Sequence, residues 1–335
     1  MSQEEVLKKV IDAGLVKPEP LKSGQEQPSS STEKLVKPLS LPITNGLPNL
    51  SPLYEIWETT AQDIIHRKEV PEYPTGLNSL DEVLWGLHKK ETAVIGGRTS
   101  HGKSSFAINI VRNLIDAGNR VIYFSLEMSK EQLLEKLFCN FCEVDSLALR
   151  HGKAKQEFMD KKDLFKEWIS KLKLLIDDKY GYDFENIVKV CYIIQPDFVF
   201  IDYIQMISTK GYKSKVDAIE EYVRKLAELG ITKNFGVIIL SQINRSGVDD
   251  PTMSKFKWAG VLEEHPATCI VLNWNKKKGT YVVQVEKQRH GEVKNVEVKF
   301  LPQFSKFRDL TEDERTASEE ETITKKRTGG LFQKD

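Results

Sequence analysis

The sequence predicts an α/β fold: a mostly parallel central sheet with helices between its strands, and an antiparallel hairpin at the C-terminal end. Three observations predict it. Near-continuous apolar runs recur along the chain, namely TAVIG at 92–96, VIYFSL at 121–126, LKLLI at 172–176, FVFID at 198–202 and GVIILSQ at 236–242. Strands covered on both faces need such runs. Helix-length segments separate them, long enough for right-handed crossovers between parallel strands. Beyond Cys269 the pattern changes to alternation, where TYVVQVE (280–286) and VKNVEVKF (293–300) flank the turn His290-Gly291. That pattern reads as an antiparallel hairpin or edge.

Taken in order, residues 1–16 have Val6, Leu7, Val10, Ile11 and Leu15 near one helical face, which predicts a short amphipathic helix. Residues 17–50 are rich in Pro, Ser, Lys and Gly (KPEPLKSGQEQPSSSTEK). Few large apolar side chains are available there to offset ordering, so a disordered linker is expected. Within 51–70, Leu53, Ile56, Trp57, Thr60 and Ile64 recur at helical spacing behind the helix-start dipeptide Ser51-Pro52. Such a helix must bury its apolar stripe on its own domain or on a neighbouring subunit, and periodicity alone does not choose. Residues 71–310 make up the α/β domain. Residues 311–335 (TEDERTASEEETITKKRTGG and beyond) are charged and poor in apolar residues, which predicts a disordered tail.

Composition narrows the function classes. With 335 residues and 40% hydrophobic content, a sizeable core can be buried. The 49 basic and 49 acidic residues cancel, so any affinity for nucleic acid must come from local clusters. No apolar run is long enough to span a bilayer. The opening MSQEEVLKKV lacks the apolar block of a secretory signal. Four cysteines are too few for a disulfide framework in a chain of this length, and a reducing, cytoplasmic setting is expected. Cys139 and Cys142 form a C-x-x-C in a helical stretch with no second pair at zinc spacing. They read as reduced core thiols.

The sharpest local signal is Gly97-Arg98-Thr99-Ser100-His101-Gly102-Lys103-Ser104, followed by Ser105. It fits G-x-x-x-x-G-K-[ST], with a strand leading in and a helix leading out. Glycines let the backbone curl so that its N–H groups point at phosphate oxygens, and the helix N-terminus adds partial positive charge. Lys103 would reach the β- and γ-phosphates and Ser104 would ligate Mg²⁺. A nucleoside triphosphate needs a second metal-side group. Asp202, at the end of the buried run FVFID, is the candidate. Glu127, just past VIYFSL, is the candidate to orient or deprotonate the attacking water; the plainer reading is that it caps the next helix. Gln242 ends the run VIILSQ, and its amide either senses the γ-phosphate or is an ordinary strand-end residue.

The ordered series PTGLNSLDEVLWGL, GGRTSHGKSSFA, VIYFSLEMSKEQL, FVFIDYIQMI, VIILSQINR and VEKQRHG resembles, motif by motif, the motor domain of DnaB-type hexameric helicases over residues 73–310. The resemblance implies a RecA-like P-loop NTPase that uses ATP and Mg²⁺. It implies a homo-hexameric ring translocating 5′ to 3′ on single-stranded DNA during replication. A primase or a helicase loader are candidate partners, and the setting would be bacterial, phage or plasmid. It gives Lys103 and Ser104 to phosphate and metal, Glu127 to water, Asp202 to the metal, and Gln242 to coupling between nucleotide state and the DNA loops. It sends Lys287 and Arg289 to the ATP of the adjacent subunit. The channel loops it implies are basic: Lys210, Lys213 and Lys215 with Gly211 and Tyr212 between them, then Arg245, Lys257 and Gly260. It also favours docking of the 53–67 helix on the next subunit. The chain departs from the family in Thr99 and His101, usually Pro and Met, and in Lys257, usually Arg. The family's helical N-terminal domain has no counterpart in residues 1–50, so contacts carried by that domain are not implied. The alternative is a non-unwinding RecA-like, DNA-stimulated ATPase of recombinase or regulatory type.

Overall fold

The computed structural model describes residues 53–66, 70–99, 101–243, 265–275 and 279–317. Its strands are β1 (Thr92–Gly97), β2 (Val121–Ser125), β3 (Leu174–Asp177), β4 (Phe198–Asp202), β5 (Gly236–Gln242), β6 (Thr268–Asn275), β7 (Thr280–Lys287), β8 (Asn295–Leu301) and β9 (Lys306–Asp309). They form one sheet in the order β3-β2-β4-β5-β1-β6-β7-β8-β9. From β3 to β6 all neighbours run parallel; from β6 to β9 they run antiparallel. The helices are α1 (Leu53–Ile65), α2 (Asn78–Leu84), α3 (Lys103–Asp116), α4 (Lys130–Cys142), α5 (Ser146–Arg150), α6 (Lys155–Ser170), α7 (Phe184–Ile194) and α8 (Lys215–Lys233). The chain divides into two units at His66 and Arg67, so α1 stands in its own unit. There Leu53, Trp57 and Ile65 are exposed.

The period of two in the central parallel strands β1, β2, β4 and β5 explains why their sequences are almost wholly apolar. Ile95, Tyr123, Phe200 and Leu240 face one side and meet Phe106 and Ile110 of α3 and Leu133 and Leu137 of α4. Val94, Phe124, Ile201 and Ile239 face the other and meet Ile187 of α7 and Ile219, Tyr222 and Val223 of α8. Both faces are therefore dry, and each fully buried large side chain contributes about 1.5–3 kcal/mol. The central strand residues Phe198, Val199, Phe200 and Ile201 have no solvent exposure. Truncation of Phe200 to Ala would cost about 3–5 kcal/mol.

Helix starts follow local chemistry. Ser129 and Gln132 exchange bonds in a capping box before α4, Asp145 accepts from Ala148 N at 2.7 Å before α5, and Ser214 caps α8. Helix α2 is capped from far along the chain. Asp309, the last residue of β9, accepts from Asn78 N at 2.8 Å and Ser79 N at 3.1 Å, which ties the end of the sheet to its beginning.

The structure contains the expected C-terminal antiparallel hairpin and extends it. The pair predicted at 280–286 and 293–300 is β7 and β8, but the antiparallel part has four strands. Strand β6 belongs to both halves, parallel to β1 and antiparallel to β7. Strand β9 escapes sequence reading because it is four residues long with one apolar side chain facing in. That residue, Phe307, stacks on Phe300 at 4.3 Å and meets Phe106 edge-on at 5.2 Å. The expected disorder from 311 needs correction, since 312–317 is helical. Thr311 N donates to Glu314 at 3.0 Å and Glu314 N to the Thr311 hydroxyl at 3.4 Å, while Arg308 grips Glu314 with its two terminal guanidinium nitrogens. The helix expected over 1–16, the linker of 17–50, Ser51-Pro52 and residues 318–335 lie outside the described residues.

Candidate active site

The carboxyl ends of β1, β2, β4 and β5 converge on one end of the sheet. Strand order reverses between β1 and β2, which lie three positions apart with β4 and β5 inserted between them. In open α/β sheets such a reversal opens a crevice for ligands. The loop from Gly97 to Gly102 leaves β1 there. Gly102 has φ of 74°, a left-handed conformation that a side chain would strain. It lets the chain turn abruptly into α3, whose start has no side-chain cap and no acidic residue. The free N–H groups of that first turn therefore face the crevice mouth, an arrangement suited to an anion.

Lys103, the first residue of α3, places its ammonium 3.1 Å from Gly97 O and 3.2 Å from Arg98 O. Burial pulls the Lys103 pKa below the usual lysine range, opposed by the charges of Asp202 and Glu127. All three side chains thus share one electrostatic neighbourhood. Asp202 is buried to 1% exposure at the end of β4. Burial raises its pKa, and this is countered by hydrogen bonds from Ser104 and Tyr123 and by the charges of Lys103 and Lys136. The Tyr123 hydroxyl donates to Asp202 Oδ2 at 2.7 Å. The other carboxylate oxygen, Oδ1, is buried without a geometrically sound hydrogen-bond partner. A buried carboxylate oxygen left open beside a serine hydroxyl fits a hard divalent cation such as Mg²⁺, so the residues present accommodate the expected metal.

Glu127 sits on the exposed rim just past β2. Its pKa is raised by partial burial, then by the Asp202 charge, with Lys103 opposing. A carboxylate tuned upward is better matched to taking a proton near neutral pH. Gln242 ends β5, in register with Gly97 of β1, and its amide donates to the Thr99 hydroxyl at 2.8 Å. The end of β5 is thereby tied to the phosphate loop. His101 meets Trp274 of β6 edge-on at 6.4 Å.

Lys287 and Arg289 are elsewhere. Lys287 pairs with Cys269, which is level with Val94, and the loop after it holds His290 Nε2 2.6 Å from Glu91 Oε1, just before β1 begins. From the level of Glu91 to Gly97 is six residues, about 20 Å along the strand axis. Exposed Arg289 thus lies at the opposite end of the sheet from its own phosphate loop. Lys210 and Lys213 are exposed on the segment after Asp202, but Lys215 is in the first turn of α8 rather than in a loop. Tyr212 packs against Tyr222, with ring centroids 5.5 Å apart and nearly perpendicular planes. Ser100, Arg245, Lys257 and Gly260 lie outside the described residues.

Sequence reading missed two site residues. Tyr123 looks like one more apolar strand residue. The signal available was that a buried phenol needs a partner for its hydroxyl; Asp202, two residues beyond Phe200, the partner of Tyr123 on β4, lies on the same face of the sheet. Lys136 of α4, its pKa lowered by burial, lines a cavity with Gly102, Ser105, Gln132 and Arg150 beside the start of α3. Cys139 and Cys142 are buried free thiols, and burial pushes Cys139 up to about 11, consistent with inert core residues. Among the described residues no helix is long and apolar enough to cross a membrane.

Known proteins share both the sequence pattern and the fold. Residues 73–309 match the model of the DnaB-like helicase C terminal domain. The replicative DNA helicase DnaB of Geobacillus stearothermophilus is 28% identical over 268 residues, covering 74% of this chain. The chain spans 59% of that relative's length. Among solved structures, an isolated ATPase domain aligns with a TM-score of 0.73 at 24% identity, covering 78% of this chain and all of that one. A DnaB-like replicative helicase studied for its interactions with primase aligns with a TM-score of 0.71 at 24% identity, covering 77% of this chain and 70% of that one. The architecture is therefore the RecA-like one, with a mostly parallel sheet and an antiparallel C-terminal extension.

Proposed function

The chain belongs to the DnaB-like helicase C-terminal domain family, and on that footing we propose that it is an ATP-hydrolysing motor that moves 5′ to 3′ along single-stranded DNA as a homo-hexameric ring serving DNA replication. The observation that carries this reading is the gathering of Lys103, Ser104, Glu127, Asp202 and Gln242 at one end of the sheet, with Arg289 about 20 Å away at the other and Lys287 on the strand that leads to it. A single copy then has a cradle without its transition-state cation. A second copy, docked head to tail, supplies it, and repetition of that contact closes a ring.

In the cradle, the N–H groups of the first turn of α3 and the Lys103 ammonium bind the phosphates. Ser104 and Asp202 hold magnesium, which when bound neutralises charge on the phosphate oxygens. Glu127 orients the attacking water and accepts its proton. Gln242 passes the state of the loop, through Thr99, into β5 and the segment with Arg245, Lys257 and Gly260. That segment and the exposed Lys210, Lys213 and Lys215 follow the DNA backbone by charge, without reading sequence. Helix α1 docks on the neighbouring subunit through its apolar stripe. A primase or a loader are candidate partners, and the cytoplasm of a bacterial host is the expected setting.

The test is ATPase rate with and without single-stranded DNA, followed by strand displacement on a forked duplex. DNA-stimulated hydrolysis with displacement supports the reading. Stimulated hydrolysis without displacement on any fork would reassign the chain to a non-unwinding ATPase, and an inert protein would remove the site assignment.

A further inference from the structure

At the end of the sheet away from the cradle, three side chains of metal-ligating type meet. His88 and Glu91 lie three residues apart on the segment that leads from α2 into β1, and His290 reaches them from the loop between β7 and β8. One ligand atom from each lies within 4.8 Å of the others. The His88 and His290 rings are 4.9 Å apart between centroids, inclined at 61°, and His290 Nε2 is 2.6 Å from Glu91 Oε1. Nε2 of His88 is buried with no hydrogen-bond partner, and so is the hydroxyl of Thr92. Thr92 lines the same small cavity as His88 and Glu91. Buried polar atoms without partners are costly in a folded protein, and here two of them sit beside a cluster of donors.

We propose that His88, Glu91 and His290 bind a divalent transition-metal ion of the Zn²⁺ class. Two imidazoles and one carboxylate suit borderline metals and not the hard ions Mg²⁺ or Ca²⁺. Tetrahedral bonds of about 2.0–2.2 Å put ligand atoms roughly 3.3–3.6 Å apart. The Glu91–His290 contact of 2.6 Å must therefore open by about 1 Å, and a pair at the 4.8 Å limit must close by a little more. The fourth position is left to water, with the Thr92 hydroxyl at hand as its hydrogen-bond partner. The site is a clip that fastens the loop carrying Arg289 to the segment entering β1. That consequence, unlike metal binding itself, rests on the proposed role of Arg289 in the neighbouring subunit.

The test uses the full chain, stripped with a chelator and titrated with Co²⁺ and then Zn²⁺. The expected result is one Co²⁺ per chain, with the visible absorption of a tetrahedral nitrogen- and oxygen-ligated ion, displaced by one Zn²⁺. His290→Asn and Glu91→Gln should each weaken binding by more than about 100-fold, beyond the range typical of outer-shell changes. Cys139→Ser/Cys142→Ser should leave it unchanged. Failure to bind Co²⁺, thiolate charge-transfer bands, or full binding in both ligand variants would overturn the proposal. None of these readouts depends on hydrolysis, so a silent Arg289→Ala would count against the ring mechanism and leave the metal result standing.

Discussion

Replacing Tyr123 with Phe isolates one bond in the candidate site. The ring stays: Tyr123 has no solvent exposure and stacks on Phe200 at 5.8 Å with planes 7° apart, a packing that Phe repeats without leaving a cavity. What is lost is the 2.7 Å bond to Asp202 Oδ2. Asp202 Oδ1 already lacks a well-formed partner, so both carboxylate oxygens would then be poorly satisfied. A buried hydrogen bond to a charged group is worth about 1.5–3 kcal/mol. For a domain of this size, a loss of about 2 kcal/mol lowers Tm by about 4–8 °C. The sign of the pH dependence follows from burial. The Asp202 pKa is raised in the folded state, and the Tyr123 bond holds it down, so Tyr123→Phe raises it further. A raised carboxyl contributes stability that is fully present below its unfolded pKa and is lost as pH rises through the folded value. The gap between variant and wild type should thus widen from acid to neutral pH. Thermal melts of both proteins without nucleotide, from pH 5 to pH 8, measure it. Equal Tm across that range would refute the claim that Tyr123 supports an ionised Asp202.

Three further outcomes follow from the same geometry. Asp202→Asn removes a buried charge that burial disfavours, so it should raise Tm at neutral pH while abolishing Mg²⁺-dependent nucleotide binding; a less stable variant that still binds would contradict the assignment. Thr99→Val breaks the bond from Gln242, and the loss of about 0.5–1.5 kcal/mol should reduce DNA stimulation of hydrolysis by roughly 2- to 12-fold. DNA stimulation equal to wild type would show that coupling runs elsewhere. Deleting residues 1–66 should lower the mass of the assembly in light scattering, because the α1 stripe is lost. An unchanged mass would mean that α1 does not join subunits.

Much of the site is legible in the sequence because its chemistry sits at strand ends. The runs at 198–202 and 236–242 coincide with β4 and β5, since a strand dry on both faces must be apolar almost throughout. Asp202 is the one polar residue of β4 and ends it; β5 admits Ser241, whose hydroxyl accepts from Gln205 at 2.8 Å, and ends at Gln242. The phosphate loop is legible for a similar reason: glycine at 102 meets a positive φ that few other residues tolerate. The remainder depends on contacts between residues far apart in the chain. Tyr123 matters only because β2 pairs with β4, with Ser125 level with Asp202. Strand β9 has too few residues to show a period, and Phe307 is fixed by Phe106 and Phe300 rather than by its neighbours in sequence. The helical turn at 312–317 has a signal in Thr311 and Glu314, three residues apart, but the high charge of the segment outweighs it.

A nucleotide site divided between two copies can be reconstituted from two inactive variants. Lys103→Ala removes the cradle's cation and Arg289→Ala removes the cation sent to the neighbour, so each protein alone should hydrolyse ATP at background rate. Mixed one to one, about a quarter of head-to-tail interfaces would pair an intact cradle with an intact Arg289. Hydrolysis should reappear and peak near equal proportions. Mixtures that form full-size rings and stay inactive at every ratio would contradict the shared site.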